Sequence, residues 1–358
     1  MSVAATLSVI LPNYNHARFI GRALEALIAQ TWPADEIIVI DDGSTDDSIA
    51  VIERFALKVP SINVLRNPSN LGVIATLKRG LQTARGKYVY FAAADDFVLP
   101  GFFATALRRL NANPDLGLFC GEAVLVDGRT QRPFAVRPAV RPRMRAGRVE
   151  AARVRQLLRS TDNWILTGSA VFRRECILWA GGLDERLGSF ADGLLGRKVA
   201  LQFGFFFEPA IVAAWVIFAD SVSRRTALKL EQTRHSLNVV PALIAADSGF
   251  PEWYAEAFRD RWRFATCRLA LQSRPIDCEL ILAMGGRSVR ERAQLERTMA
   301  LPGHIRRFAL LAQLWYRLRP TSLTALLRTM LAMRTVRLAF GFRLPQLRDQ
   351  PPADAAQG

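Results

Sequence analysis

Short apolar runs that end in polar clusters recur four times in the first hundred residues. Leu7-Ser8-Val9-Ile10-Leu11 runs into Pro12-Asn13-Tyr14-Asn15, and Glu36-Ile37-Ile38-Val39-Ile40 into Asp41-Asp42-Gly43-Ser44-Thr45-Asp46. Ile62-Asn63-Val64-Leu65 leads to Asn67-Pro68-Ser69-Asn70-Leu71-Gly72, and Tyr88-Val89-Tyr90-Phe91 leads through three alanines to Asp95-Asp96. Each run reads as a buried strand closed by turn formers. Between them apolar residues return every three or four positions. They predict helices over 17–30, around Val51, Ile52, Phe55 and Ala56 (capped by Thr45 or Asp46), and over 73–84. Strand–helix alternation of this kind predicts right-handed βαβ units and an α/β fold on a mostly parallel sheet. The loops Pro12–Asn15, Asp41–Thr45 and Asp95–Asp96 would then share the carboxyl edge, where such sheets bind nucleotides.

Further on, 101–113 reads as a helix, 116–121 as a strand, and 128–148 as a Pro/Arg loop carrying seven arginines. That loop suits either a mobile lid or a solvated surface segment. After about residue 225 the pattern is helical: 227–246, 253–272, 288–300, 305–318 and 323–338. Leu310, Leu311, Leu314, Trp315 and Leu318 form a stripe flanked by Arg306, Arg307, Arg317 and Arg319. Such a helix can lie in a membrane interface and attract anionic headgroups, or it can pack against the catalytic domain with its arginines in water. The expected division is a catalytic domain over 1–225, a basic helical region over 226–345 and a frayed tail over 346–358. The best membrane-span candidate, 199–219, is interrupted by Gln202, Glu208 and Pro209, so no span is expected.

Charge sharpens the picture. The 358 residues carry a formal net charge of +16, and only five of the 48 basic residues are lysines, so the excess is arginine. Phosphates, anionic lipid or nucleic acid are the partners such a balance admits. No nucleic-acid-binding motif accompanies the charge, so no nucleic-acid partner is expected. Cys120, Cys176, Cys267 and Cys278 stand far apart, without metal-site or disulfide-framework spacing. They read as reduced core residues of a cytosolic protein. No basic segment followed by an apolar run opens the chain, so no signal peptide is expected. His16, His235 and His304 have no partner at metal-site or triad spacing.

A strand that delivers two adjacent carboxylates, Asp95 and Asp96, to its end offers either a solvated turn or a site for a hard divalent cation shared with substrate phosphates. The G-x-G-x-x-G fingerprint is missing after the first strand, which argues against a nicotinamide-dependent dehydrogenase.

In order and spacing, these pieces resemble a family 2 inverting glycosyltransferase of the GT-A fold, over residues 7 to about 220. The resemblance rests on Val9–Asn15, Gln30-Thr31-Trp32, Ile38–Asp46, Asn70-Leu71-Gly72, Ala84–Tyr88 and Asp95–Pro100. It implies transfer of a sugar from a nucleotide diphosphate, with UDP as the expected carrier, to a glycan or lipid-linked acceptor in cell-surface polysaccharide synthesis. Tyr14 would stack on the base beside Pro12, and Asp42 would accept a hydrogen bond from the base with Asp41 close by. Asn15, Ser44 and Asn70 would complete the nucleotide-sugar site. Asp95, matching the last acid of the family's D-x-D motif, would hold Mg²⁺ or Mn²⁺ on the diphosphate, with Asp96 beside it. Trp164, Gly168 and Ser169 match the acceptor side. Asp192 aligns with the second acid of the family's Glu-Asp pair and would be the catalytic base. An enzyme of this kind would work in the cytoplasm, peripherally at the inner membrane face.

The sequence departs from the family in three places. Ala93 and Ala94 stand where an acid and a small or polar residue are usual, and Ala191 replaces the Glu before the base. These departures motivate a second reading, a degenerate homologue that binds sugar nucleotide or a partner without turnover.

Overall fold

The computed structural model describes residues 6–162, 164–218, 228–325 and 327. Four strands alternate with three helices at the start: β1 (Leu7–Asn13), α1 (Ala17–Ile28), β2 (Glu36–Asp41), α2 (Ser48–Ala56), β3 (Ile62–Arg66), α3 (Val73–Thr83) and β4 (Tyr88–Phe91). They form a parallel sheet in the order β3-β2-β1-β4. Continuation strands make the other half mixed. These are β5 (Phe97–Val98), β6 (Leu118–Asp127), β7 (Pro133–Arg137), β8 (Gly147–Val149), β9 (Ala170–Arg173) and β10 (Phe205–Ile217). The sheet path runs on from β4 through β9, β6 and β10 to β5, with β9 antiparallel to both neighbours and β10 parallel to β6.

The strands are apolar throughout because both faces are covered. Val9 and Leu11 of β1 enter the layer with α1, α2 and α4 (Phe102–Asn111), while Ile10 faces the layer with α3, α6 (Arg174–Trp179) and α7 (Ala191–Phe203). Burial on two faces replaces strict alternation with continuous hydrophobic runs. Gly80 lets α3 touch the sheet: a Cβ there would lie 2.3 Å from Cγ2 of Ile10.

The segment after β6, read as either a mobile lid or a solvated surface segment, is paired to the sheet at both ends. β7 returns as a hairpin on β6, and β8 pairs with β10. Arg141 forks onto the buried Glu122, its Nε donating to Oε1 and its Nη2 to Oε2 at 3.0 Å, and Arg148 holds Asp115 and Glu150. Arg141 and Arg148 therefore tether this loop to its surroundings.

After helix α5 (Ala151–Ser160) and the last strand come the C-terminal helices α8 (Leu230–Ala246), α9 (Tyr254–Gln272), α10 (Cys278–Gly285), α11 (Val289–Met299) and α12 (Gly303–Leu318). Sequence periodicity missed α10, an eight-residue apolar run too short to show a helical face, although Asp277 signals its start by accepting the Leu280 N–H at 2.9 Å. Leu310, Leu314 and Leu318 are buried in a small core with Leu280, Ile281, Met284 and Leu295. The stripe therefore packs, but against the other C-terminal helices and not, as the second reading had it, against the catalytic domain. Val240, Ile244, Tyr254 and Phe258 join the layer beneath the sheet instead, linking helical region and sheet. The helix expected over 323–338 lies, beyond residues 323–325 and 327, outside the described residues, as does the 346–358 tail. Cys278 is exposed, unlike the other three cysteines.

A buried polar network makes the same link. Asp162 accepts from Tyr254 Oη at 3.0 Å and pairs with Arg261 at 3.3 Å, and Arg197 donates to the Asp162 carbonyl at 2.9 Å. Burial alone would raise the Asp162 pKa; the charges of Arg197 and Arg261 and the Tyr254 hydrogen bond outweigh it and hold the group below its usual value. Asp162→Ala is expected to cost about 3 kcal/mol, because two guanidiniums lose their counter-charge. A depressed carboxylate stabilises the fold above its unfolded pKa of about 4, and that contribution fades as pH falls through the folded value. Denaturant melts at pH 7 and at pH 3 check this: the gap between wild type and variant should narrow in acid.

Candidate functional site

Three loops are sewn together at the carboxyl edge of the parallel strands. Asn13, at the end of β1, is in register with Asp41 at the end of β2 and donates to its Oδ1 at 2.8 Å. Asp41 also accepts from the Ser44 N–H at 3.0 Å and the Ser44 hydroxyl at 2.5 Å. The Ser44 hydroxyl in turn accepts from the Asn15 N–H at 2.9 Å, and Asn15 Oδ1 accepts from the Thr45 N–H at 2.8 Å. Asn15 holds φ +55°, a left-handed conformation that asparagine tolerates better than most residues. Asp46 accepts from the N–H groups of Ala17 and Ser48, tying the starts of α1 and α2 to the same turn.

Asp42 reaches the other way. Its carboxylate accepts from Asn67 Nδ2 at 2.7 Å and from the N–H groups of Leu71 and Gly72, both at 2.9 Å. Burial would raise its pKa, but these donors and Thr76 together hold it low, so Asp42 is a fixed negative charge. Gly43, at φ +75°, packs on the third loop so tightly that a Cβ would sit 2.8 Å from the Ser69 carbonyl carbon. Tyr14 stands out of this frame: its ring is 40% exposed and has no ring or hydrogen-bond partner among the described residues. Pro12 beside it is half-buried, and Asn70 is exposed, its Oδ1 accepting from the Gly72 N–H at 3.0 Å. Pro12, Tyr14, Asn15, Asp41, Asp42, Ser44 and Asn70 thus fall in one cluster of loops. Asn67 belongs with them; in the sequence it looked like a turn former before Pro68.

Register brings the acids alongside. Ile10 of β1 pairs with Phe91 of β4, and the Ala92 N–H donates to the Ile10 carbonyl, so the chain to Asp96 runs beside the end of β1. The two acids then diverge. Asp96 accepts from the Val216 N–H of β10 at 2.8 Å. Burial chiefly, then the neighbouring Asp95 charge, pushes its carboxyl up to about 8, while the Val216 bond and Arg22 pull the other way. The Asp95 carboxylate is partly exposed and accepts no hydrogen bond among the described residues. Of the two acids expected at a metal, Asp96 thus pins β10 to the turn through Oδ1, while the Asp95 carboxylate stays free of hydrogen bonds among the described residues. Arg22 of α1 lies against the pair, donating to the Asp95 carbonyl at 3.3 Å and to Gln131 at 2.8 Å, with its guanidinium 4.5 Å from the Phe97 ring centroid. Nothing in the sequence marked Arg22 except its place on the border of α1's apolar face.

Among the described residues no group of three or more His, Cys, Asp or Glu side chains could hold a metal by itself. One free carboxylate beside this cluster of loops fits an ion that arrives with a diphosphate, because Mg²⁺ keeps waters and takes phosphate oxygens readily.

Two of the acceptor-side expectations fail. Trp164 is wholly buried, stacked on Phe205 at 5.1 Å, with its indole N–H on the Thr161 carbonyl at 2.9 Å. Ser169 is equally buried and donates to the Gly121 carbonyl at 3.0 Å. Both are core residues whose polar atoms are satisfied internally, so neither meets an acceptor. Gly168 is half-buried: its carbonyl accepts from Tyr90 Oη at 3.1 Å, and a Cβ on it would lie 2.5 Å from Trp215 Nε1. Asp192 occupies the first turn of α7, half-buried, its Oδ1 taking the Gly193 N–H at 2.7 Å. Its charge, after those of Tyr254 and Asp162, also supports the buried Arg197. Ala191 before it is a core position.

The profile of Glycosyl transferase family 2 matches residues 8–168. The glycosyltransferase YibD of Escherichia coli K12 is 41% identical over 107 residues, which cover 30% of this chain and 31% of YibD. Eight such relatives are matched over 29% to 64% of their own length. In fold, the chain resembles S. aureus TarS 1-349 in complex with UDP-GlcNAc, with a TM-score of 0.56, 17% identity, and coverage of 94% of this chain and 91% of that one. It also resembles the mannosyltransferase PcManGT of Pyrobaculum calidifontis in complex with GDP-Man and Mn2+, with a TM-score of 0.55, 19% identity, and coverage of 95% and 90%. Sheet order, loop cluster and profile agree: the segment spanning residues 8–168 belongs to glycosyl transferase family 2, on a GT-A fold.

Proposed function

We propose that the protein is an inverting glycosyltransferase that moves a sugar from a nucleotide diphosphate, most simply UDP, to a glycan or lipid-linked acceptor of a cell-surface polysaccharide. The observation that carries this reading is the convergence of an exposed, unpartnered Tyr14, the fixed charge of Asp42 and the free carboxylate of Asp95 at one sheet edge. Tyr14 offers a face on which a base can stack beside Pro12. Asp41 and Asp42 keep that platform rigid, since their carboxylates are already engaged by the chain; a contact from Asp42 to the base would be additional to those bonds. Asn15, Ser44 and Asn70 line the same loops. Asp95 would hold Mg²⁺ or Mn²⁺, which supplies charge neutralisation on the departing diphosphate. Asp192 takes the proton from the acceptor hydroxyl. Residues 1–225 would form the catalytic domain, with 226–345 as a helical appendage.

A second reading, a binding protein without turnover, is favoured by the single free carboxylate that Ala93 and the inward turn of Asp96 leave behind. Calorimetric titration of UDP, GDP and other nucleoside diphosphates, with and without Mn²⁺, tests the site, and donor hydrolysis or transfer separates the readings. Tyr14→Ala is expected to weaken nucleotide binding about tenfold through lost stacking, without a change in melting temperature. Failure of the wild type to bind any nucleoside diphosphate would remove the transferase reading and leave the degenerate homologue that binds a partner.

A further inference from the structure

Helix α12 packs through Leu310, Leu314 and Leu318 and turns its opposite side to solvent. On that side Ile305, Phe308, Ala312 and Tyr316 follow one another at three- and four-residue spacing. Phe308 is 76% exposed and Tyr316 70%. A helix already satisfied on one face has no structural need for large aromatics on the other, and such exposed patches mark interaction surfaces.

Charge identifies the occupant. Residues 301–348 contain nine arginines and no lysine, aspartate or glutamate. Four of these arginines lie in the described part, and none is within ion-pair distance of a carboxylate among the described residues. Arg306 donates to the Met299 carbonyl at 3.4 Å, Arg317 donates to the Glu291 carbonyl at 3.0 Å, Arg307 is exposed, and Arg319 sits 6.0 Å from the Tyr316 ring centroid. Exposed Arg307 near the start of the helix and Arg319 beside Tyr316 at its end thus carry charge with no carboxylate partner among the described residues. No helix among the described residues is long and apolar enough to cross a membrane, so contact of this kind would lie in the interface plane.

We propose that this face of α12 docks the protein on an anionic lipid bilayer, with Phe308 and Tyr316 entering the headgroup–acyl boundary and Arg307 and Arg319 meeting headgroup phosphates. Aromatic rings with one wet edge suit that depth, and each arginine near an anionic leaflet adds attraction. Docking in this way would bring the transferase site to lipid-linked acceptors; in that respect it rests on the reading above, but the binding itself requires no donor or acceptor.

The test is co-sedimentation of the full chain with vesicles of phosphatidylglycerol and phosphatidylcholine, against phosphatidylcholine alone. Wild type should pellet with the anionic vesicles and be released by salt. The Phe308→Glu/Tyr316→Glu variant should lose at least about tenfold in partition at an unchanged melting temperature, since both side chains are exposed. Arg307→Gln/Arg319→Gln should weaken binding and flatten its salt dependence. Wild type remaining in the supernatant, or the aromatic variant binding as wild type does, overturns the proposal. It also fails if the aromatic variant dissociates a dimer, or loses fold stability while vesicle binding holds, because the face would then belong to a second copy or to the chain itself. Nucleotide titration on the same variants keeps the two readings separate: loss of vesicle binding with intact donor binding speaks to the surface alone.

Discussion

Asp95→Ala is expected to lower sugar transfer about 10³-fold and to abolish the metal dependence of nucleotide binding. The magnitude follows from charge. A divalent ion on the leaving diphosphate stabilises the transition state by several kcal/mol, and about 4 kcal/mol is a factor of 10³ in rate. Asp95 carries this expectation by itself, since Asp96 is turned to the Val216 N–H and no other acid stands at the Ala93 position. The Asp95 carboxylate accepts no hydrogen bond from the described chain, so its removal should leave the melting temperature in place. Asp96→Asn makes the contrast, because an amide oxygen still accepts the Val216 N–H; transfer should change by less than about tenfold. Calorimetry with UDP and Mn²⁺ and an assay of donor hydrolysis read both variants. Equal metal dependence in wild type and Asp95→Ala would place the ion elsewhere.

The parallel half of the sheet and its loops were legible because local signals agreed. Continuous apolar runs, turn formers at their ends and helical spacing between them all pointed to one topology, and Asn13, Asp41 and Asp42 fell where register demanded. What stayed hidden depended on partners distant in sequence. Adjacent acids look alike in a string of letters; only the approach of β10 separates an inward Asp96 from a free Asp95. Trp164 and Ser169 sat in a segment resembling an acceptor strand, yet the stacking of Trp164 on Phe205 and the hydrogen bond of Ser169 to Gly121 make both core. The Pro/Arg loop looked mobile because its acidic partners, Glu122 and Asp115, lie outside it. On α12 the apolar stripe was visible but not which of two apolar faces would be buried, and the cluster of Leu280, Met284 and Leu295 decides that.

Asp192→Asn should reduce transfer between about 10² and 10⁴-fold while nucleotide and metal binding stay as in wild type. The isosteric amide can still take the Gly193 N–H that the carboxylate accepts at 2.7 Å, so α7 should keep its start and the fold its stability. What the amide cannot do is accept a proton from an attacking hydroxyl. Asp192→Glu keeps the base but moves it by a methylene, and partial activity there would separate chemistry from packing. Asp192 sits in the first turn of α7, and its charge reaches the buried Arg197 of the same helix. That guanidinium also contacts the Asp162 carbonyl, and Asp162 meets Tyr254 and Arg261 of α9, so the helical region reaches α7 through one buried network. An Asp192→Asn enzyme that transfers sugar within about threefold of wild type would assign the base to another residue. A product whose anomeric configuration matches the donor's would remove the need for a base on the face opposite the leaving group, and with it this role for Asp192.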